Sequence, residues 1–183
     1  WSNCACRGCG GCGARRSRTR RCWSWPAPSF RGKSEPRQSS YRVPFLAWGS
    51  GIVRGRTSEA LLNTVDLLPT CLGLAGISDP EADGRPGLDL ADHLRGAPPP
   101  EREAVLLGCG HYCWRGVYTG DWFYGFSSRG LTWQETLIHT AADPHDQQER
   151  STDPAAAGRL AQMRRLLRDT LQRAGDTSWN IPA

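Results

Sequence analysis

The sequence predicts a mixed chain of class α/β. More closely, it reads as an α+β fragment, in which the end of an α/β sheet domain is followed by a small antiparallel sheet packed on a long C-terminal helix. Three observations carry this. The apolar run "YRVPFLAW" (Tyr41 to Trp48) stops at "GSG" and precedes a segment with helical apolar spacing. Strand-like pieces then crowd between residues 104 and 141. A C-terminal stretch opens on Asp153-Pro154 and carries a single apolar stripe.

Taken in order, Tyr41 to Trp48 reads as a buried strand, and Pro44 places it near a sheet edge or at a strand start. In "TSEALLNTVDLLPTCLGLAGI", Leu61, Leu62, Val65, Leu68, Leu72 and Ala75 recur at helical spacing. Thr64 fits an N-cap, Asp66 lies in the first turn, and Gly76 stands where a helix-ending glycine belongs. Pro69 removes a backbone donor and predicts a kink or a restart. Ser78 to Gly87 is turn-rich and reads as a surface loop, "LDLADHLRG" as a short helix, and Ala97 to Glu103 as a linker. The strand pieces are Ala104 to Tyr112, Trp114 to Phe126 and Glu135 to Ala141, with a hairpin turn at Thr119 to Trp122. In the final helix Asp153 is the N-cap, and Leu160, Met163, Leu167 and Leu171 form a stripe expected to pack on the sheet.

Charge and cysteine divide the chain unevenly. Residues 1–42 hold ten Lys/Arg against one acid, whereas the rest holds 13 against 17, so the net charge of +5 belongs to the opening. Cys4, Cys6, Cys9, Cys12 and Cys22 lie there too, while Cys71, Cys109 and Cys113 are scattered and form no disulfide framework. Residues 1–29 contain no Leu, Ile, Val, Met or Phe and cannot bury enough surface to fold. The opening is compatible with a thiolate cluster at Cys4 to Cys12, a basic arm at Arg15 to Arg21, or a GC-rich gene translated out of frame. The division that follows is 1–31 disordered, 32–100 the α/β part, and 101–183 the antiparallel sheet with its helix. No apolar run approaches the roughly 18 residues of a membrane span, and no basic region followed by an apolar one marks a secretory leader.

Few groupings suggest chemistry. Cys109, His111 and Cys113 face one way on a strand, yet the outer two then stand about 13 Å apart. One zinc ion with bonds of about 2.0–2.3 Å cannot span that without a turn at Gly108 or Gly110. His139 and His145 are isolated and expected to be structural or solvated. Arg164, Arg165 and Arg168 make a basic face, but Asp169 interrupts it and no aromatic residues interleave, so a nucleic-acid surface is not expected.

Several of these stretches together resemble one family. "GK" (Gly32, Lys33) followed by "YRVPFLAW" resembles the sulfatase segment in which a Gly-Lys turn precedes an Arg-Val-Pro strand. "VDLLPTCLGLAGI" is similar to the sulfatase helix reading Asp-Leu-x-Pro-Thr and ending in Ala-Gly, and "DGRPGLDLADHLRG" to the Asp-Gly-x-x-Leu stretch after it. "WRGVYTGDWFYGF" and "AADPHDQQERSTDP" resemble the C-terminal strands and the loop beyond them, although the family's Asn-Leu is missing from the latter. The resemblance runs over about residues 32–175 in the family's order. It implies a C-terminal fragment of a sulfatase-like hydrolase of the alkaline-phosphatase-like superfamily, acting on sulfuric esters when complete. By that resemblance Lys33 contacts the sulfate oxygens. A formylglycine and a divalent cation, calcium, are implied for the complete family, with a sulfate ester as substrate and no membrane partner. The chain has no [Cys/Ser]-x-Pro-x-Arg motif and no Asp-His-Gly before Gly32, so neither a catalytic nucleophile nor a metal site is assigned within it, and inactivity in isolation is expected. A phosphonate or phosphodiester hydrolase of the same superfamily, or a basic-arm interaction module, are the alternatives.

Overall fold

Four strands in sequence order build one antiparallel sheet: β1 (Val105–Gly108), β2 (Trp114–Tyr118), β3 (Trp122–Arg129) and β4 (Thr132–His139). The computed structural model describes residues 36–84, 86–109, 114–129 and 132–182. The readings made for residues 1–31, for Lys33, and for His111 and Cys113 fall outside the described residues. The β2–β3 turn is where the sequence puts it: Gly120 has φ +97° and the Thr119 amide donates to the Trp122 carbonyl at 3.0 Å.

Alternation along the strands gives the sheet two faces. Val117, Tyr124, Phe126 and Leu137 point to one side, where α4 (Ala157–Arg173) lays down Leu160, Met163, Leu166, Leu167 and Leu171. Each fully buried apolar side chain of this size contributes about 1.5–3 kcal/mol, so this contact holds the sheet and α4 together. The helix begins as the sequence predicts: the Asp153 carboxylate accepts from the Ala155 amide at 2.9 Å and Pro154 occupies the first turn. A polar strut crosses the same interface. Arg164 of α4 donates to both oxygens of Glu135 at 2.8 and 2.7 Å, and the Tyr124 hydroxyl donates to Glu135 at 2.7 Å. The guanidinium holds the Glu135 carboxyl below its ordinary range against the opposing effect of burial, while burial and then Glu135 push the Tyr124 hydroxyl well above its own.

The other face carries Trp114, Phe123 and Ile138. It is covered by α1 (Gln38–Tyr41), a single turn whose Tyr41 ring stacks on Phe123 at 5.0 Å. Gly116 and Gly125 are register partners, and the Phe123 ring lies across both; a Cβ on either would come to 2.9 Å from it. Here glycine is required by close approach rather than by φ.

Upstream, the helix expected from the apolar spacing is present as a 3-10 turn, Thr64–Asp66, running into α2 (Leu67–Ala75) and ending at Gly76 with φ +67°. Its cap is Asn63 rather than Thr64: Asn63 accepts from Thr64, and Asp66 reaches back to the Asn63 amide as a capping box. The helix restarts, changing from 3-10 to α just upstream of Pro69, which stands in the first turn of α2 where a missing N–H is tolerated. The short helix α3 spans Ala91–Leu94. One expected element is absent. Tyr41 ends α1, and residues 42–48 run on as irregular chain with Val43, Leu46 and Trp48 exposed to 70%, 82% and 85%. Apolar alternation creates a strand only when a neighbour completes its hydrogen bonds, and none of the described residues does so here.

The glycine trough under Phe123 is open to test. Gly125→Ala should lower stability by about 1–3 kcal/mol through overpacking, measured by urea unfolding. Combined with Phe123→Leu, the loss should be smaller than the sum of the two single losses; strict additivity would show that the ring does not fix the requirement.

Candidate functional site

The two stretches singled out in the centre of the sequence prove to be halves of one structure. Asp66 and Thr70 lie one helical turn apart and both are buried. The Leu88 amide donates to Asp66 Oδ1 at 2.9 Å, and the Leu90 amide donates to Thr70 Oγ1 at 3.0 Å. Thr70 in turn donates to the Leu88 carbonyl at 3.4 Å. The Asp and Thr of "DLLPT" therefore clip "GLDL" against α2, and Gly87 enters so closely that a Cβ there would lie 2.2 Å from the Val65 carbonyl oxygen.

Arg102 completes the clip. Its guanidinium donates to both Asp66 oxygens at 2.6 and 2.7 Å and to the Leu61 carbonyl at 3.1 Å. Burial alone would push the Asp66 carboxyl up, but Arg102 and the Leu88 and Asn63 amides outweigh it and hold the group below its usual range. The segment that reads as a linker, Ala97 to Glu103, is thus anchored near its end by the Arg102 side chain.

A groove of about 1020 Å³ opens between this unit and the sheet. Leu90, Leu94 and Val105 contribute apolar surface, with Phe45 from the irregular stretch and Asp121 from the β2–β3 turn. One wall is polar. The Ser58 hydroxyl lies 2.7 Å from His93 Nε2, and His93 Nδ1 lies 2.8 Å from the Ala97 carbonyl. Arg56 donates to the His93 and Ala97 carbonyls at 3.4 and 3.5 Å. No sequence pattern joins Ser58 to His93, which lie 35 positions apart; only the return of α3 past the 56–60 segment brings them together.

The other candidates resolve into structure. Cys109 follows β1 and its amide donates to the Trp114 carbonyl at 3.3 Å. His139 stacks on Trp122 with centroids 4.3 Å apart and rings 2° from parallel, and His145 is exposed. The basic face of α4 is divided, since Arg164 pairs with Glu135 and Arg168 donates to the Pro182 carbonyl. Among the described residues no three His, Cys, Asp or Glu are grouped so as to hold a metal ion. No helix among them is long and apolar enough to cross a membrane.

Comparison with known proteins agrees with the motifs. Residues 28–77 match the family model for sulfatases. The Ulvan-active sulfatase of Formosa agariphila is 32% identical over 118 residues, covering 59% of this chain and 22% of that protein. The extracellular sulfatase SULF-1 homolog of Drosophila melanogaster is 41% identical over 62 residues, covering 33% of this chain and 6% of its own length. Among solved structures, a 2-O GAG sulfatase aligns over 74% of this chain and 31% of its own, with a TM-score of 0.59 and 28% identity. The chain therefore spans about a fifth of the first of these relatives and less of the second.

The clip makes two predictions. Arg102→Met should cost about 3–5 kcal/mol, because it strands a buried carboxylate, and Asp66→Asn combined with Arg102→Met should recover part of that in chemical unfolding. Because the Asp66 carboxyl titrates below its ordinary 3.8 in the folded chain, its contribution is present above that value and lost as pH falls through the folded-state pKa. Stability measured down an acid series should thus fall more steeply in the parent than in Asp66→Asn.

Proposed function

We propose, from the chain's place as a C-terminal portion of the sulfatase family, that it is the closing part of a sulfuric ester hydrolase and does not cleave sulfuric esters by itself. The observation that carries this is the exposed apolar stretch within the matched residues. Val43, Leu46 and Trp48 lie bare in the segment that resembles the family's Arg-Val-Pro strand. Such a row of unpaired backbone and apolar side chains is suited to a neighbouring strand, and a relative of which the match covers only 22% has sequence to provide one.

In that complete enzyme Lys33 would supply a compact ammonium to offset charge on the sulfate oxygens. One such contact accounts for about 3 kcal/mol of transition-state stabilisation, against the roughly 8–23 kcal/mol by which enzymes lower barriers. The formylglycine nucleophile has no precursor motif in the sequence. Toward the sulfuric ester, what the described residues do is structural: the Asp66 clip and the α4 contact hold the matched segment and the sheet in fixed shape.

The purified chain should not hydrolyse aryl sulfates above background, with or without added calcium, and should bind a hydrophobic dye. Leu46→Lys combined with Trp48→Lys should reduce that dye binding. Aryl sulfate turnover that disappears in Lys33→Ala would overturn the assignment, because it would place a nucleophile inside this chain.

A further inference from the structure

The polar wall of the groove has a consequence of its own: we propose that Ser58 is a nucleophile, activated by His93, that takes up acyl groups from carboxylic esters. The proton positions follow from the partners. A carbonyl oxygen only accepts, so His93 Nδ1 carries the hydrogen that meets Ala97 at 2.8 Å. Nε2 is therefore the bare nitrogen, and it faces Ser58 Oγ at 2.7 Å. The Ala60 amide already donates to Ser58 Oγ at 3.1 Å, which leaves the hydroxyl hydrogen to point at Nε2. Nucleophile, base and a third group that fixes the base stand in line, the arrangement that activates a hydroxyl.

Exposure fits the roles. His93 is 6% exposed and held by contacts at both ring nitrogens, whereas Ser58 is exposed on the groove. Leu94 and Phe45 offer apolar surface for an acyl chain, and Arg56 brings positive charge to the same wall. In the step, the Ser58 Oγ–carbonyl carbon bond forms as the hydroxyl proton passes to Nε2. The bond from that carbon to the leaving oxygen then breaks, and the proton on Nε2 is handed to the leaving alcohol. Water attacks the acyl-serine with His93 Nε2 again taking a proton, the Oγ–carbon bond breaks, and Nε2 hands that proton to Ser58 Oγ as the acid is released. No metal, oxidant or sulfate takes part, so the proposal stands apart from Lys33 and the sulfuric ester reading.

The full chain treated with p-nitrophenyl butyrate should release a burst of p-nitrophenolate and gain one butyryl group, mapped to Ser58 by peptide mass spectrometry. Ser58→Ala should abolish the adduct while leaving the thermal transition in place. His93→Gln should slow acylation roughly 10²–10⁴-fold, the usual range for a general base. An adduct confined to other residues, no adduct at all, or acylation of Ser58 at the same rate in the urea-unfolded chain as in the native chain would each overturn the proposal. The last comparison decides the matter even if His93→Gln does not fold.

Discussion

The described structure upstream of the sheet hangs on one buried carboxylate. Asp66 is 0% exposed and accepts from its own helix cap, from the Leu88 amide and twice from Arg102. A charge so placed costs heavily unless every oxygen lone pair is engaged, and here each partner comes from a different piece of chain. Helix, returning segment and approach to β1 are thereby fixed against one another by a group that no single one of them could satisfy. The short-range propensities of these pieces are modest; α3 is a helix of only 4 residues. Their order comes from the shared carboxylate and from Thr70 one turn along.

Within the sheet the stabilising pattern is different. One face is closed by a 17-residue helix with five buried apolar side chains, the other by a single turn whose tyrosine stacks on Phe123. That turn is itself tied down at a distance: the Gln38 side chain donates to Asp146 Oδ1 at 2.7 Å and the Arg37 guanidinium donates to the Asp146 carbonyl at 2.6 Å. Asp146 adopts φ +54° to receive them, a left-handed conformation that aspartate tolerates better than most residues. The loop after β4 therefore serves as the anchor through which the matched N-terminal segment reaches the sheet. Just beyond this anchor the chain becomes irregular and apolar. The groove and its Ser58–His93 wall lie beside that surface.

Local pattern was enough to specify the elements whose signals are local. The caps at Asp153 and Gly76, the hairpin at Gly120 and the stripe on α4 are legible because each rests on spacing within a few residues. The family motifs were legible too, but not their role. "DLLPT" reads as part of a helix, and nothing in its letters says that Asp66 and Thr70 hold the backbone of Leu88 and Leu90.

What only the tertiary structure decided depends on contacts distant in sequence. Arg102 sits in a proline-rich stretch that looks like a spacer, yet it reaches 36 positions back to a buried partner. Arg164 and Arg168 read as a basic surface, yet one turns to Glu135 and the other to Pro182. Ser58 and His93 carry no motif at all. Conversely, Tyr41 to Trp48 has the pattern of a strand and forms none, because a strand is completed by its neighbour's hydrogen bonds and not by its own side chains. Sequence alone determined periodicity, the caps at Asp153 and Gly76 and a resemblance to a family; folding determined which charges are buried, which hydroxyl meets which imidazole, and which apolar face is exposed, since each of these is a property of pairs that only the fold brings together.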